Sequence, residues 1–206
     1  MINFLLAALV AYLFGSLPSG VWIGKIAKNI DIRDYGSKNS GATNAYRVLG
    51  PKYGIAVLIA DALKGYIPLM IADYLFGLRG TPLILIGLLA IVGHSLSFFL
   101  KFKGGKGVAT SLGVFLFLFP NGILIVFAAF VLVVAFTKYI SLASIIAAGL
   151  LPLLALFLPL RAEIPRFPLF IVSLLVAIFV IYRHKTNIER LLKGTENKFN
   201  LNPKKK

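Results

Sequence analysis

Long apolar stretches alternate with short polar segments along the whole chain. Each apolar stretch is near the ~20 residues that cross a bilayer as an α-helix, and the clearest candidates lie at about residues 3–23, 54–76, 81–100, 140–160 and 167–182. A membrane span must satisfy its own backbone hydrogen bonds, so the pattern predicts an all-α polytopic membrane protein. Gly, Ser and Pro at residues 15–20 form a weak point in the first span, where the helix can bend or pack closely on a neighbour.

The apolar stretch at residues 108–136 is interrupted by Pro120, so it forms either one long span or two shorter ones. The basic segments at residues 25–53, 101–107 and 183–206 share the cytoplasmic side only if the chain turns at Pro120, and the positive-inside rule favours that turn. We therefore predict seven transmembrane helices with the N-terminus outside and the C-terminus cytoplasmic. The helix after residues 101–107 is then about 13 residues, which is short for a bilayer at about 1.5 Å per residue.

Composition and charge agree with this interpretation and limit the kinds of molecule that the protein can bind. The chain is 59% hydrophobic, and its 22 Lys and Arg against 7 Asp and Glu give a net charge of +15 that is concentrated in the loops. Membrane orientation and binding of anionic ligands both explain this excess, and both can hold. Short basic loops between spans argue against nucleic acid as a partner. With no cysteine and two histidines, we expect no zinc site and no Cys-based metal site.

Residues 101–107, which we call the Gly-rich loop, carry the first candidate chemistry. Lys106 lies among Gly104, Gly105 and Gly107, directly before a predicted helix. Glycines allow backbone N–H groups to approach a phosphate, and a lysine and a helix N-terminus add favourable charge. The loop is not a Walker A motif, because Gly107 follows the lysine in place of Ser or Thr. A plain basic turn explains the loop equally well at this level.

Two further polar segments, residues 36–47 and 183–196, supply donors suited to oxyanions. Arg47 and Arg183 can each form two hydrogen bonds with one phosphate. His184 and Asn187 are three residues apart and share a helix face. The chain has no nucleophile elbow and no carboxylate pair for acid–base catalysis. A catalyst built from these residues relies on positioning and oxyanion stabilisation, so its substrate must already carry a good leaving group.

The polar segments form ordered motifs. They read Gly36-Ser37-x-Asn39-x-Gly41-Ala42-Thr43-Asn44-x-x-Arg47, Gly93-His94 with Phe102-Lys103-Gly104-Gly105-Lys106-Gly107-Val108-Ala109-Thr110, Lys138-Tyr139-x-Ser141-Leu142-Ala143-Ser144, and Tyr182-Arg183-His184-x-x-Asn187-Ile188-x-Arg190-Leu191-x-x-Gly194-x-Glu196. In these motifs the chain resembles the bacterial acyl-phosphate:glycerol-3-phosphate acyltransferases, the PlsY family. The resemblance runs along the whole chain in order. One departure is Ser97, where the family often has Pro, and it removes no functional group.

The resemblance implies one integral-membrane acyltransferase domain over residues 1–206, in the bacterial cytoplasmic (inner) membrane, with its active site facing the cytoplasm. Such an enzyme transfers a fatty acyl group from acyl phosphate to the 1-hydroxyl of sn-glycerol 3-phosphate, giving lysophosphatidic acid and phosphate. This is the first step of phospholipid synthesis. The expected partners are these two substrates and membrane lipids, and we expect the chain to act alone as a monomer without cofactor or metal.

The resemblance also assigns roles to individual residues. The catalytic set is Ser37, Arg47, Lys106, His184 and Asn187. The substrate-binding set is Gly36, Asn39, Gly41, Thr43, Asn44, Lys103, Gly104, Gly105, Gly107, Ser141 and Arg183. The general base is either His184 or a substrate phosphate oxygen. We favour the phosphate, because no carboxylate is evident to orient the histidine.

Several other polar residues are interpreted as structural. We expect His94 to bond backbone near the Gly-rich loop, and Asp61 and Lys64 to form an ion pair on one helix face. Ser144 is expected to pack between helices. Glu196 is expected to anchor the tail through a basic residue such as Arg190. Residues 197–206 are expected to form a solvated tail.

Two other functions compete with the enzyme. A transporter of organophosphate anions would explain the basic loops, the interrupted spans and the midspan charge pair, but the polar clusters lie on one face and no inverted repeat is evident. A scaffold that binds anionic lipids needs only charge, and it leaves the ordered Gly, Asn, Thr and Arg motifs unexplained.

Overall fold

The computed structural model of the protein describes residues 1–200. Within these residues the chain is helical and contains no strand, which confirms the all-α prediction. The α-helices are α1 (Ile2–Ser16), α2 (Ser19–Lys28), α3 (Ala42–Leu49), α4 (Pro51–Tyr74), α5 (Gly80–Ser95), α6 (Val108–Leu118), α7 (Pro120–Thr137), α8 (Ile140–Phe157), α9 (Arg166–Arg183) and α10 (Lys185–Leu192). Short 3-10 helices form at Ile32–Asp34 and Phe98–Leu100.

The helix lengths agree with most of the predicted spans. Among the described residues, α4, α7, α8 and α9, and α5 together with the 3-10 helix that follows it, are long and apolar enough to cross a membrane, and α1 with α2 qualifies as a pair bent by 41°. The bend falls at Leu17 and Pro18, inside the predicted weak point, where proline removes a backbone donor. The predicted break at Pro120 is also confirmed, because α6 and α7 are separate helices. At 11 residues, α6 is shorter than predicted.

Polar contacts gather at two opposite ends of the helix bundle. At one end, which we call the distal end, Asp73 contacts Arg79, and its Oδ2 lies 3.7 Å from Arg161 Nη2. Asn3 near the chain start also lies there and donates to the Phe76 carbonyl at 3.4 Å. At the other end, the site end, lie the Gly-rich loop, the start of α8 and α10.

Helix α6 joins the two ends despite its length. It starts at the Gly-rich loop, and near its C-terminus the Phe117 carbonyl accepts a hydrogen bond from Arg161 of the distal end at 3.4 Å. Helix α7 then returns to the site end, where the Lys138 carbonyl accepts from Phe199 N–H at 2.6 Å. The N-terminus of α1 and the segment after α10 therefore lie at opposite ends of the bundle.

Close packing between α4 and α6 holds the start of α6 in place. A Cβ at Gly113 would collide with the carbonyl of Ala62, and one at Gly65 would collide with the carbonyl of Thr110. Small residues at such crossings let helix backbones approach within van der Waals contact. Because the Gly-rich loop leads directly into α6, this packing also fixes one end of the loop.

A buried ion pair fastens the break between α1 and α2. Lys64 Nζ lies 2.7 Å from Asp61 Oδ1 and donates to the Leu17 carbonyl at 2.7 Å. Next to it, Ser97 Oγ donates to the Ser16 carbonyl at 2.5 Å. Carbonyls at a helix end lack intrahelical donors, and here side chains from α4 and from the segment after α5 supply them. This geometry supports the structural interpretation of the pair.

Replacing Asp61 with alanine is expected to destabilise the protein by about 3–5 kcal/mol, because it leaves the Lys64 cation buried without its carboxylate. The loss is measured as a drop in the thermal unfolding midpoint in detergent. The double variant Asp61→Leu/Lys64→Met removes both charges and should recover most of the lost stability. A double variant as unstable as the single one would show that the unpaired charge is not the cause.

Candidate functional site

The Gly-rich loop is held between the ends of α5 and α9. Gly104 N–H donates to the Ser95 carbonyl at 3.0 Å, and Gly105 N–H donates to the His94 carbonyl at 3.2 Å. On its other side, the Gly104 and Gly105 carbonyls accept from one nitrogen of Arg183 at 2.9 and 3.1 Å. The Arg183 side chain, predicted to bind phosphate, therefore uses one nitrogen to hold the loop.

These bonds change which backbone amides are available to an anion. The sequence suggested that the glycine amides converge on phosphate, but those of Gly104 and Gly105 donate to α5. The N–H groups of Lys106 and Gly107 make no hydrogen bond with the described residues. Together with the first turn of α6, they remain as donors. Gly107 adopts φ +86°, a left-handed conformation that favours glycine.

His94 supports the Gly-rich loop through both its backbone and its ring. Its backbone carbonyl bonds Gly105, while its ring lies where a Cβ on Gly105 would be. Ring Nδ1 makes no hydrogen bond with the described residues and lies 3.9 Å from Asp61 Oδ1. The structural interpretation of His94 is confirmed, and its bond to backbone near the loop is made by the His94 carbonyl, while the ring makes no hydrogen bond with the described residues.

One carboxylate joins α8 and α10 beneath the loop. The Lys106 ammonium donates to Asn187 Oδ1, and Asn187 Nδ2 donates to Glu196 Oε1 at 2.7 Å. The same Oε1 accepts from Ser141 Oγ at 2.8 Å, and Oε2 accepts from Arg190 Nε at 2.6 Å. The predicted Glu196–Arg190 contact is confirmed. The geometry adds that Glu196 orients Asn187, which in turn holds Lys106.

Positive charge is concentrated at this point. Arg47, Arg183 and Arg190 all act electrostatically on Lys106, opposed by Glu196. Burial, reinforced by the arginines, lowers the pKa of Lys106 from 10.5 to about 8. Burial acts to raise the pKa of Glu196, but its hydrogen bonds outweigh this, so the net direction is downward and the carboxylate stays ionised at neutral pH. Four cations around one carboxylate leave a net positive, partly buried site suited to an anion.

His184 is buried and oriented by backbone. Its Nδ1 lies 2.8 Å from the Val180 carbonyl, and because a carbonyl only accepts, Nδ1 carries the hydrogen and Nε2 is the acceptor. Burial and then the charge of Lys106 lower the pKa of His184 to about 4, so the ring is neutral at pH 7. The sequence offered no carboxylate to orient this ring, and a carbonyl one helical turn earlier does so instead.

Asn44 organises the first polar loop. Its Oδ1 accepts from Ser37 N–H at 2.8 Å and from Ser37 Oγ at 3.1 Å, and its Nδ2 donates to the Ile32 and Asn39 carbonyls at 2.7 and 2.9 Å. Asn39 Oδ1 accepts from Gly41 N–H at 2.9 Å. These residues shape the loop through contacts with one another, and their predicted contact with substrate stays a prediction.

Other predicted residues lie outside the Lys106 cluster. The Lys103 side chain is exposed and makes no hydrogen bond, ion pair or ring contact with the described residues. Gly36 occupies a left-handed conformation at φ +59°, and the Thr43 side chain makes no hydrogen bond within the described part of the chain. Ser144 Oγ donates to the Ile140 carbonyl of its own helix, which agrees with the packing role expected for it.

The segment after Glu196 is the feature that the sequence analysis missed. The solvated-tail prediction holds only in part, because the Phe199 ring lies 4.9 Å from the Tyr46 ring and the Asn197 carbonyl accepts from Arg47 at 3.4 Å. Residues 201–206 lie outside the described residues. The signal in the sequence was Phe199, the single aromatic residue among residues 197–206.

The chain is similar to known proteins along almost its whole length. The family model described as glycerol-3-phosphate acyltransferase matches residues 5–194. The chain belongs to this family. The glycerol-3-phosphate acyltransferase of Fusobacterium nucleatum subsp. nucleatum is 61% identical over 92% of this chain and 95% of that protein. The enzyme of Geobacter sulfurreducens is 47% identical over 97% of this chain and 99% of its own.

Solved structures agree with the sequence relatives. Crystal structures of PlsY (YgiH), an integral membrane glycerol 3-phosphate acyltransferase, in a glycerol 3-phosphate form and a lysophosphatidic acid form, each match with a TM-score of 0.85 and 38% identity over 96% of both chains. The family resemblance seen in the motifs is confirmed, and the chain is an integral membrane acyltransferase.

Acyl transfer is expected to fall as the pH rises through about 8 in the kcat/KM profile. The pKa of Lys106 is lowered, so its cation is present below that pH and lost above it. A bound substrate phosphate stabilises the Lys106 cation. The alkaline limb of the kcat profile should therefore lie at higher pH than that of the kcat/KM profile. Lys106→Arg keeps its charge throughout and should remove the alkaline limb, at reduced activity because the guanidinium differs in shape. An unchanged limb in this variant would assign it to another group.

Proposed function

We propose that the enzyme transfers a fatty acyl group from acyl phosphate to the 1-hydroxyl of sn-glycerol 3-phosphate, producing lysophosphatidic acid and inorganic phosphate. The observation that carries the proposal is the partly buried group of Lys106, Arg47, Arg183 and Arg190 beside a neutral His184. Both substrates bring a phosphate, and this group has the charge to hold them. The glycerol 3-phosphate and lysophosphatidic acid forms of the related PlsY support the acceptor and the product.

The chemistry needs no enzyme nucleophile. Acyl phosphate is a mixed anhydride, so the substrate hydroxyl can attack its carbonyl carbon directly and phosphate leaves as the C–O bond to it breaks. Negative charge grows on the carbonyl oxygen and then on the departing phosphate. Lys106, held by Asn187 at the mouth of the Gly-rich loop, is placed to stabilise that charge together with the free amides of the loop.

The two candidate bases differ in proton affinity. His184 has a pKa of about 4, whereas the second pKa of an alkyl phosphate is about 6. Burial and the charge of Lys106 make the His184 ring hard to protonate, so the substrate phosphate is the better proton acceptor. We therefore assign His184 Nε2 to accepting a hydrogen bond from the 1-hydroxyl and orienting it, and a substrate phosphate oxygen to taking the proton.

Other residues of the site complete the proposed substrate contacts. Arg47 and Ser37 bind the phosphate of glycerol 3-phosphate, and the first polar loop shapes that pocket. The exposed Lys103 attracts anions toward the site. Ser141 contributes indirectly, because its hydroxyl donates a hydrogen bond to Glu196. The acyl chain lies among the apolar helices, so that the reacting head group reaches the site end.

The placement in the membrane is likewise proposed. Seven passes, with the bent α1–α2 pair as one and the short α6 as another, would put the N-terminus outside and the site end in the cytoplasm. The opposite positions of the first and last described helices support an odd number of passes. The basic residues at the site end favour the cytoplasmic face of the bacterial inner membrane. The single-domain organisation over residues 1–206 and action as a monomer also stay predictions.

Phosphate release by purified protein tests the proposal. With palmitoyl phosphate as donor, release should depend on glycerol 3-phosphate, and lysophosphatidic acid should appear in equal amount. Release without glycerol 3-phosphate would indicate a hydrolase. Absence of release from folded protein would contradict the enzyme, and uptake of glycerol 3-phosphate into vesicles would then test the transporter.

A further inference from the structure

We infer that residues 196–199, which we call the C-terminal strap, position Arg47 for anion binding, with Phe199 as the positioning residue. The inference rests on the proposed role of Arg47 in holding glycerol 3-phosphate and goes beyond it. The family match ends at residue 194, so the strap lies past that boundary.

The strap crosses the site end and touches four separate parts of the fold. Glu196 bonds Ser141 of α8 and Arg190 of α10. Phe199 N–H donates to the Lys138 carbonyl at the turn between α7 and α8. The Phe199 ring packs on Tyr46 of α3, with ring centroids 4.9 Å apart. The strap therefore ties α3 to the helices that carry the Lys106 cluster.

Arg47 needs such support because its neighbours repel it. It lies on α3, a short helix of 8 residues, and its guanidinium is partly buried near Arg190 and Lys106. Burial and like charge favour a side chain that turns toward solvent. The Asn197 carbonyl, 3.4 Å from Arg47 Nη2, and the Glu196 carboxylate oppose this.

Phe199 is the apolar anchor of the strap. Its ring contacts Tyr46, the residue directly before Arg47, and its backbone is held by Lys138 on the other side. Fixing Phe199 thus fixes both the Asn197 carbonyl two residues earlier and the turn of α3 that carries Arg47. Lys198, by contrast, places its ammonium 5.9 Å from the Tyr139 ring, away from α3.

Binding of inorganic phosphate and of glycerol 3-phosphate to the full-length protein tests the inference. Phe199→Ala should raise both Kd values and the KM for glycerol 3-phosphate about tenfold, with kcat within about twofold of wild type. Phe199→Trp keeps a ring against Tyr46 and should restore binding to within about threefold. Lys198→Ala is the matched control from the same strap and should change none of these values by more than about twofold.

A double-mutant cycle separates positioning from general loosening of the fold. If Phe199 acts through Arg47, the tenfold effect of Phe199→Ala should shrink below about twofold in the Arg47→Lys background. An effect that persists in that background, or a fall in kcat at unchanged KM, would overturn the inference. If the alanine variant has a lowered unfolding midpoint, Phe199→Leu replaces it, and unchanged Kd values in a stable Phe199→Leu variant would equally overturn it.

Phosphate binding does not require turnover, so the outcomes for the two proposals are distinguishable. A wild-type protein that binds phosphate but releases none from palmitoyl phosphate would contradict the proposed function. The cycle measured on phosphate Kd would still decide the role of the strap.

Discussion

Replacing Lys106 with glutamine is expected to lower glycerol-3-phosphate-dependent phosphate release by about 10²- to 10³-fold, with the protein still folded and inserted. The substitution removes the cation nearest the developing negative charge and keeps a side chain of similar length. It also takes the ammonium donor from Asn187 Oδ1, although the Glu196 bond continues to hold Asn187. Initial rates with palmitoyl phosphate, together with the unfolding midpoint of each variant, measure the effect.

Lys103→Gln provides the matched control for Lys106→Gln. It removes the same charge from the same loop, but the Lys103 side chain is exposed and touches none of the clustered side chains. We expect its rate to stay within about threefold of wild type, because exposed charge is screened by solvent. Retained turnover in the Lys106 variant would refute its role at the phosphate, and a larger effect at Lys103 would show that the wrong lysine was chosen.

Gly104→Ala is expected to reduce acyl transfer by about 100-fold or more, since displacing reacting groups by about 1 Å costs that much. A Cβ at this position would collide with the His94 carbonyl, which belongs to the rigid end of α5. The loop must therefore move, and the hydrogen bond from Gly104 N–H to Ser95 and the contacts of Arg183 are disturbed with it. The rate is measured under saturating and limiting glycerol 3-phosphate.

Gly149→Ala is the control for this substitution. Gly149 lies in α8, and apart from its neighbours and the backbone of its own helix, no described atom lies within 4 Å of a Cβ placed there. Alanine is a better helix former than glycine, so stability should be equal or slightly higher and activity unchanged. Full activity in Gly104→Ala would show that catalysis tolerates displacement of the loop, and the phosphate role of its amides would then be wrong.

The local pattern of residue types was enough to predict the helices. An apolar run of about 20 residues has few ways to satisfy its backbone in a membrane, so spans such as α4 and α8 follow from the sequence. The same holds for the Asp61–Lys64 pair, because residues three apart share a helix face. The helix breaks at Pro18 and Pro120 could also be predicted from local sequence, because proline lacks the backbone N–H donor that a continuous helix requires.

The motifs also pointed to Lys106, His184 and Asn187, but their geometry depended on contacts far apart in the chain. The Lys106–Asn187 hydrogen bond joins residues 81 positions apart in the chain, and Arg47 contacts Asn197, which is 150 positions away. No local propensity determines which distant groups meet. Consequently the sequence did not reveal that Glu196 orients Asn187 or that the strap reaches α3.

By itself, the sequence determined the helical membrane fold, the basic end of the bundle and the residue types suited to holding phosphate, since each depends on local periodicity, charge and side-chain chemistry. Only the tertiary structure decided that Gly104 and Gly105 turn their amides toward α5 and that α6 reaches the distal end with 11 residues. These features arise where helix ends pack together, because backbone groups left without intrahelical partners bond to whatever the packing brings near.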